Sequence, residues 1–236
     1  MTEAHLRELY PFLHGARRAD GPEQALLLDA GLLESVRQKT RHGQAVARAF
    51  FEQNAAHVLS AARALAKVFA RDGKMLCMGN GGSSCDAAHF AVEFLHPITT
   101  GRPALPALNL AMDTAMLSAV GNDIGMRHVF RRQLEVHARP GDGVIGFSTS
   151  GNSENLLSAY EKAKQLGLVT LGLCGGNGGE MKASGLVDHC LVVETDSVHR
   201  VQEVHVATYH VLWDLTHTLL ADDRGRLERR GPESEP

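Results

Sequence analysis

Two short stretches of the chain carry residue types whose spacing could do chemistry on a phosphorylated ligand. Ser148-Thr149-Ser150-Gly151-Asn152-Ser153 sets four hydroxyls within six residues, between the apolar run Gly143–Phe147 and a helical pattern opening near Glu154. A helix N-terminus carries about half a positive charge and several unpaired N–H groups. Hydroxyls converging there can surround a phosphate without a lysine. Capping the helix would need only one of them. The other stretch, Gly79-Asn80-Gly81-Gly82-Ser83-Ser84, follows an apolar run ending at Met78 and leads into the helical pattern that carries His89. Its glycines permit positive φ and let backbone N–H groups approach a ligand closely, although an isolated turn of this kind also serves as a plain strand-to-helix connection. Neither stretch is a nucleotide motif: no G-K-[ST] occurs, and Ser84 stands where G-x-G-x-x-G needs glycine.

Proton-transfer and metal-ligating residues follow the first turn and recur near the C-terminus. His89 and Glu93 are four apart in a helical stretch, so one face offers an imidazole and a carboxylate to the same ligand, or simply a solvated pair. The last helical pattern holds Gln202, Glu203, His205, His210 and His217. Gln202 and His210 stand about 12 Å apart along an ideal helix and ~80° apart around it. For both to hold one small ion, ligands would have to come from two chains, or the helix start would have to be distorted. A set of His, Glu, Gln and His suits Zn²⁺ or another borderline divalent cation.

The elements that must position these residues alternate. Strands are expected at Lys74–Met78, Ala104–Leu110, Gly143–Ser148, Leu168–Cys174 and Cys190–Glu194. Helices are expected near Gln44–Arg71, Ser84–Leu95, Asp113–Val120, Met126–Ala138, Glu154–Leu166 and Val198–Leu220. Short, near-continuous apolar strands alternating with helices make an α/β fold, a parallel sheet between two helical layers. One such domain is expected over 45–222. An N-terminal helical extension, 1–44, holds an amphipathic Ala25–Val36 stretch, and the charged segment 223–236 reads as a disordered tail.

The 236 residues are 44% hydrophobic and 22% charged, close to the globular average, which excludes disorder or a coiled coil for the whole. Lys and Arg number 24 against 27 Asp and Glu, so no basic excess drives binding to nucleic acid or an anionic membrane. No apolar run reaches the ~18 residues of a membrane span. Cys77, Cys85, Cys174 and Cys190 stand singly, the pattern of reduced thiols in a cytoplasmic protein.

Taken in order, Gly79-Asn80-Gly81-Gly82-Ser83, Cys85-Asp86-Ala87-Ala88-His89-Phe90-Ala91-Val92-Glu93, Gly121-Asn122-Asp123, Ser148 to Ser153 and Arg200-Val201-Gln202-Glu203-Val204-His205 resemble the bacterial phosphoheptose isomerases of the sugar-isomerase (SIS) family. The similarity covers about residues 45–222. It implies a three-layer SIS fold with a five-stranded parallel sheet, and a homotetramer with active sites at subunit interfaces. It also implies conversion of sedoheptulose 7-phosphate to D-glycero-D-manno-heptose 7-phosphate, an early step toward lipopolysaccharide heptose. By the same resemblance Ser148, Thr149, Ser150 and Ser153 match phosphate-binding positions, and Asn80, Gly81, Gly82, Asn122 and Asp123 match sugar-contacting positions. His89, Glu93, Gln202 and His210 match zinc ligands, with Gln202 also at the substrate, and Glu93 and His210 match the acid–base pair. The chain departs from the family at Ser84, where His is common, at His199, where Asp is common, and in its longer N-terminus. The alternatives are a SIS protein acting on or sensing another sugar phosphate, and a non-catalytic SIS tetramer resembling the replication-initiator-associating type. Retention of Glu93 and His210 favours the enzyme.

Overall fold

The computed structural model describes residues 22–228, with side chains described for 29–221. Contacts divide the chain after Ala45 into two compact units. The first helix, α1, runs Pro22–Phe69 as a single element of 48 residues, where the sequence pattern predicts two helices. Proline suits the first helical position. The linking residues Arg37, Gln38, Lys39 and Arg41 are good helix formers, and Gly43 costs only about 1 kcal/mol in a helix interior. The expected extension is therefore helical from Pro22, and residues 1–21 lie outside the described residues.

From Val46 onward the second unit is an α/β fold. After α1 come β1 (Met75–Gly79), α2 (Gly82–Leu95), β2 (Ala107–Asn109), α3 (Thr114–Asp123), a 3₁₀ turn at Met126–His128 and α4 (Val129–His137). β3 (Gly143–Ser148), α5 (Glu154–Gln165), β4 (Val169–Gly175), α6 (Gly179–Ala183), β5 (His189–Val193) and α7 (Val198–Glu228) complete it. All five strands pair in parallel, in the order β2-β1-β3-β4-β5. Each expected strand is present. β2 is cut to three residues, and Ala104-Leu105-Pro106 stays outside it, consistent with proline's missing N–H, which no ladder can use.

The inner strands β1, β3 and β4 are buried on both faces, and alternate residues feed two cores. Met75, Cys77, Ile145, Phe147, Leu171 and Leu173 pack with α1, α2 and α7. Leu76, Met78, Val144 and Cys174 pack with α3, α4, α5 and α6. The short α6 is unforeseen, because five residues after a glycine-rich turn show no helical period. α7 continues through Glu228, so the tail expected to begin near Asp222 is helical for its first residues. Arg, Leu and Glu sustain the helix there; residues 229–236 lie outside the described residues. No helix among the described residues is long and apolar enough to cross a membrane.

Register decides where the chemistry sits. Gly79, the end of β1, lies opposite Phe147, one residue before the serine turn. The connection after β1 leads to β2 on one side and that after β3 leads to β4 on the other. The crevice between these two strand exits is the switch point at which open parallel sheets bind ligands.

Candidate active site

The serine turn joins β3 to α5. Ser148 is buried, and its Oγ accepts from the Gly151 N–H at 3.1 Å and lies 3.0 Å from Ser153 Oγ. Ser153 occupies the N-cap position of α5, yet its hydroxyl makes no capping bond. The surplus of hydroxyls is thus not spent on the helix end. Ser150 and half-buried Thr149 complete the rim, with Ser150 Oγ accepting from the Asn152 N–H at 3.2 Å. Gly151 has φ +69°, and any Cβ there would overlap the Gly178 carbonyl oxygen. α6 is fastened to the same turn: Asn152 Oδ1 accepts from Glu180 N at 2.9 Å, and Gly151 O accepts from Met181 N at 2.9 Å.

The glycine turn opens α2, with Gly81 at its N-cap in a positive-φ conformation. Asn80 and Asn155 exchange two amide hydrogen bonds, each 2.9 Å, and Asn155 Oδ1 also accepts from the Leu156 N–H. This reciprocal pair stitches the two strand exits together. Asn80 is expected to touch the sugar; here its side-chain amide is engaged with Asn155. A Cβ at Gly82 would meet the Gln202 amide, the end of a flexible side chain that lies over this turn. Ser84, the departure noted in sequence, turns its hydroxyl inward to the Gly81 carbonyl at 2.7 Å, and His199 is exposed at the start of α7.

Further along α2, His89 and Glu93 meet His210 of α7, their ligand atoms all within 4.8 Å of one another. His89 Nε2 lies 3.0 Å from Glu93 Oε1, and the His89 and His210 rings stand edge to face at 5.1 Å. The three donors converge within one chain and α7 is regular from Val198, so neither the two-chain set nor the distorted helix start is needed for them. Gln202 sits two turns nearer the N-terminus of α7, its amide against Gly82.

Tyr209 holds the cluster from beneath. Its Oη lies 2.7 Å from His89 Nδ1, and the residue is buried. Burial, then the nearby carboxylates of Asp86 and Glu93, push its phenol well above the usual range, so it stays protonated. Trp213 Nε1 donates to the Glu93 carbonyl oxygen at 2.8 Å, fixing α2 against α7. Two imidazoles and a carboxylate, with the far nitrogen of one imidazole already held by a polar partner, fit a zinc centre with an open position.

Asn122 and Asp123 follow on α3. Both are exposed at the end of α3, hydrogen-bonded to each other at 2.9 Å, and Asp123 lines a cavity with His128, Arg131 and Glu135. His89 also borders a mainly apolar cavity of about 790 Å³ with Val92, Leu95, Leu108 and Met112. Sequence reasoning missed Asn155 and Tyr209. Tyr209 could have been noticed as a tyrosine adjoining His210, whereas the Asn80–Asn155 pairing spans 75 positions and leaves no local signal.

Residues 40–175 match the family model of the SIS domain. The chain belongs to the SIS domain family. The phosphoheptose isomerase of Desulfovibrio desulfuricans is 42% identical over 192 residues, covering 81% of this chain and 90% of that protein. The phosphoheptose isomerase of Trichlorobacter lovleyi is 47% identical over 160 residues, covering 68% and 81%. Among solved structures, a phosphoheptose isomerase from Francisella tularensis superposes with a TM-score of 0.75 at 30% identity, over 79% of this chain and 98% of that one. The phosphoheptose isomerase from Neisseria gonorrhoeae does so with 0.74 at 33% identity, over 79% and 99%. With such relatives the chain is an enzyme of the isomerase class.

Proposed function

We propose that this enzyme converts the ketose sedoheptulose 7-phosphate into the aldose D-glycero-D-manno-heptose 7-phosphate. The observation that carries the reading is the pairing of two unlike groups at neighbouring strand exits. A hydroxyl-lined helix N-terminus follows β3, and a carboxylate and an imidazole stand along the helix that follows β1, joined there by the His210 imidazole of α7. The phosphoheptose isomerase relatives support the choice of sugar.

The serine turn, Ser148, Thr149, Ser150 and Ser153, binds the phosphate, so that binding energy remote from the reaction orients C1 and C2. Gly81, Gly82, Asn80, Asn122, Asp123 and Gln202 contact the sugar. Glu93 removes a proton from C1 to give an enediol, and return of a proton to C2 yields the aldose. Glu93 Oε1 faces His89, which leaves the other carboxylate oxygen for the proton. His210 moves the proton on the substrate oxygens. Positioned groups of this kind give about 10²–10⁴-fold each. His89, Glu93 and His210 would hold one Zn²⁺, with Gln202 as a fourth ligand drawn from a second chain because α7 is regular, and the ion when bound supplies polarisation of the substrate oxygens. The reading includes a homotetramer in the cytoplasm, and exposed Val92, Leu95 and Met112 beside the 790 Å³ cavity support a subunit contact there.

The test is purified protein with sedoheptulose 7-phosphate, with and without chelator, and aldose formation followed by NMR. A folded Glu93→Gln protein with full turnover would remove the assigned base. No turnover on any C5 to C7 ketose phosphate, with tight binding of a partner protein instead, would favour the adaptor alternative.

A further inference from the structure

The opposite end of the sheet holds a further cavity, of about 490 Å³. Arg63, Lys67 and Arg71 of α1 and its extension line it on one side, and Asp188 and His189 line it at the start of β5. The serine turn lies at the other end of the same strands, and the seven residues of β4 put roughly 20 Å between them. Arg63 and Lys67, four apart, share one face of α1 with about 6 Å between them, and Arg71 follows in the turn just past the helix end. All three are exposed, and among the described residues no side-chain hydrogen bond or ion pair engages them.

Nothing in helix energetics calls for that grouping. Like charges four apart destabilise a helix. The helix dipole accounts for Lys67, in the last turn, and for Arg71 just beyond it, but not for Arg63 farther back. The one carboxylate in the cavity is committed elsewhere: Asp188 accepts from Lys164 Nζ at 2.5 Å, from Thr170 N at 3.0 Å and from Thr170 Oγ1 at 2.9 Å. The cavity is therefore positive in a chain whose formal net charge is -3. His189 adds a neutral imidazole donor, because burial and then repulsion from His57 hold it below the usual histidine range.

We propose that this cavity binds a small organic diphosphate, at a site distinct from the one assigned to the substrate's phosphate. Three cations around one cavity exceed what a single phosphate needs, whereas two linked phosphoryl groups carry charge enough to meet them. The volume falls in the range of pockets for small ligands.

Inorganic pyrophosphate titrated calorimetrically into the full chain tests this. Wild type binds, and binding weakens as salt is added. Arg63→Gln/Lys67→Gln/Arg71→Gln binds at least about tenfold more weakly, as does Arg63→Gln alone to a smaller degree should the triple variant not fold. Arg48→Gln, which removes an exposed α1 cation paired with Glu52, binds as wild type does. Undiminished binding by the folded triple variant, or by Arg63→Gln where that is the variant available, would put the anion elsewhere, the serine turn included, and overturn the proposal. So would no binding to wild type, or an equal loss in Arg48→Gln.

Discussion

Replacing Tyr209 by Phe separates what holds the fold from what holds the proposed metal ligands. The ring contacts survive: Tyr209 meets His89 edge to face at 5.3 Å and Phe147 at 5.9 Å, and neither contact needs the hydroxyl. What is lost is the 2.7 Å hydrogen bond to His89 Nδ1. A hydrogen bond contributes about 0.5–1.5 kcal/mol net. His89's side chain is 41% exposed, so water can partly replace the phenol and the loss in stability stays near 1 kcal/mol. The effect on zinc is expected to be larger. A hydroxyl can donate to Nδ1 when Nε2–H faces Glu93, and accept from Nδ1–H when Nε2 is given to a metal. Phenylalanine can do neither, and groups in this supporting position are worth about 10–100-fold in metal affinity. Competition for Zn²⁺ against a chromophoric chelator reads the affinity, and urea unfolding of the metal-free proteins reads stability. Zinc affinities within twofold in two folded proteins would refute the role of Tyr209. Failure of wild type to bind zinc would instead refute the metal site.

Other substitutions probe the remaining parts. Glu93→Gln should fold like wild type and lose about 10²–10⁴-fold in turnover, read by NMR with saturating sugar phosphate. Gly151→Ala imposes a positive φ on alanine, costing about 1–2 kcal/mol, and drives its methyl into the Gly178 carbonyl. Denaturant unfolding should show a loss beyond 2 kcal/mol, and wild-type stability would mean that the turn is not so confined. Asn155→Leu removes the pair with Asn80. It should cost about 1–3 kcal/mol and raise KM for the phosphorylated sugar, since the strand exits lose their tie. His57 and His189 are each held below the ordinary histidine pKa, first by burial. The unfolded chain then binds more protons than the folded one as pH falls through and below about 6.5, so stability is full above that pH and declines under it. Melting temperatures of wild type and His57→Gln/His189→Gln between pH 7.5 and 5 should converge toward acid, and parallel curves would contradict the sign.

The sheet was readable from sequence because its inner strands, β1, β3 and β4, are buried on both faces. Runs such as Gly143–Phe147 are apolar throughout, as a strand with helices on both sides must be. The single α1 was not readable. Amphipathicity fades between Val36 and Gln44, and what continues the helix there is propensity together with surface contacts such as Arg41 to Glu34 at 3.2 Å. α6 was missed for a related reason: its first turn is fixed by Asn152 and Gly151 from another loop, not by its own residues.

Residue type and local spacing by themselves determined the two loops that could hold an anion and the side of α2 that could move a proton, since hydroxyls beside a helix start and residues four apart on a helix are local geometry. Only the tertiary structure decided that His210 joins His89 and Glu93, that Tyr209 supports them, and that Asn80 spends its amide on Asn155. Those meetings join positions 75 to 121 residues apart. They are set by the parallel register of β1 and β3 and by the seating of α7 on α2, and packing between whole elements is not written in the spacing of any one segment.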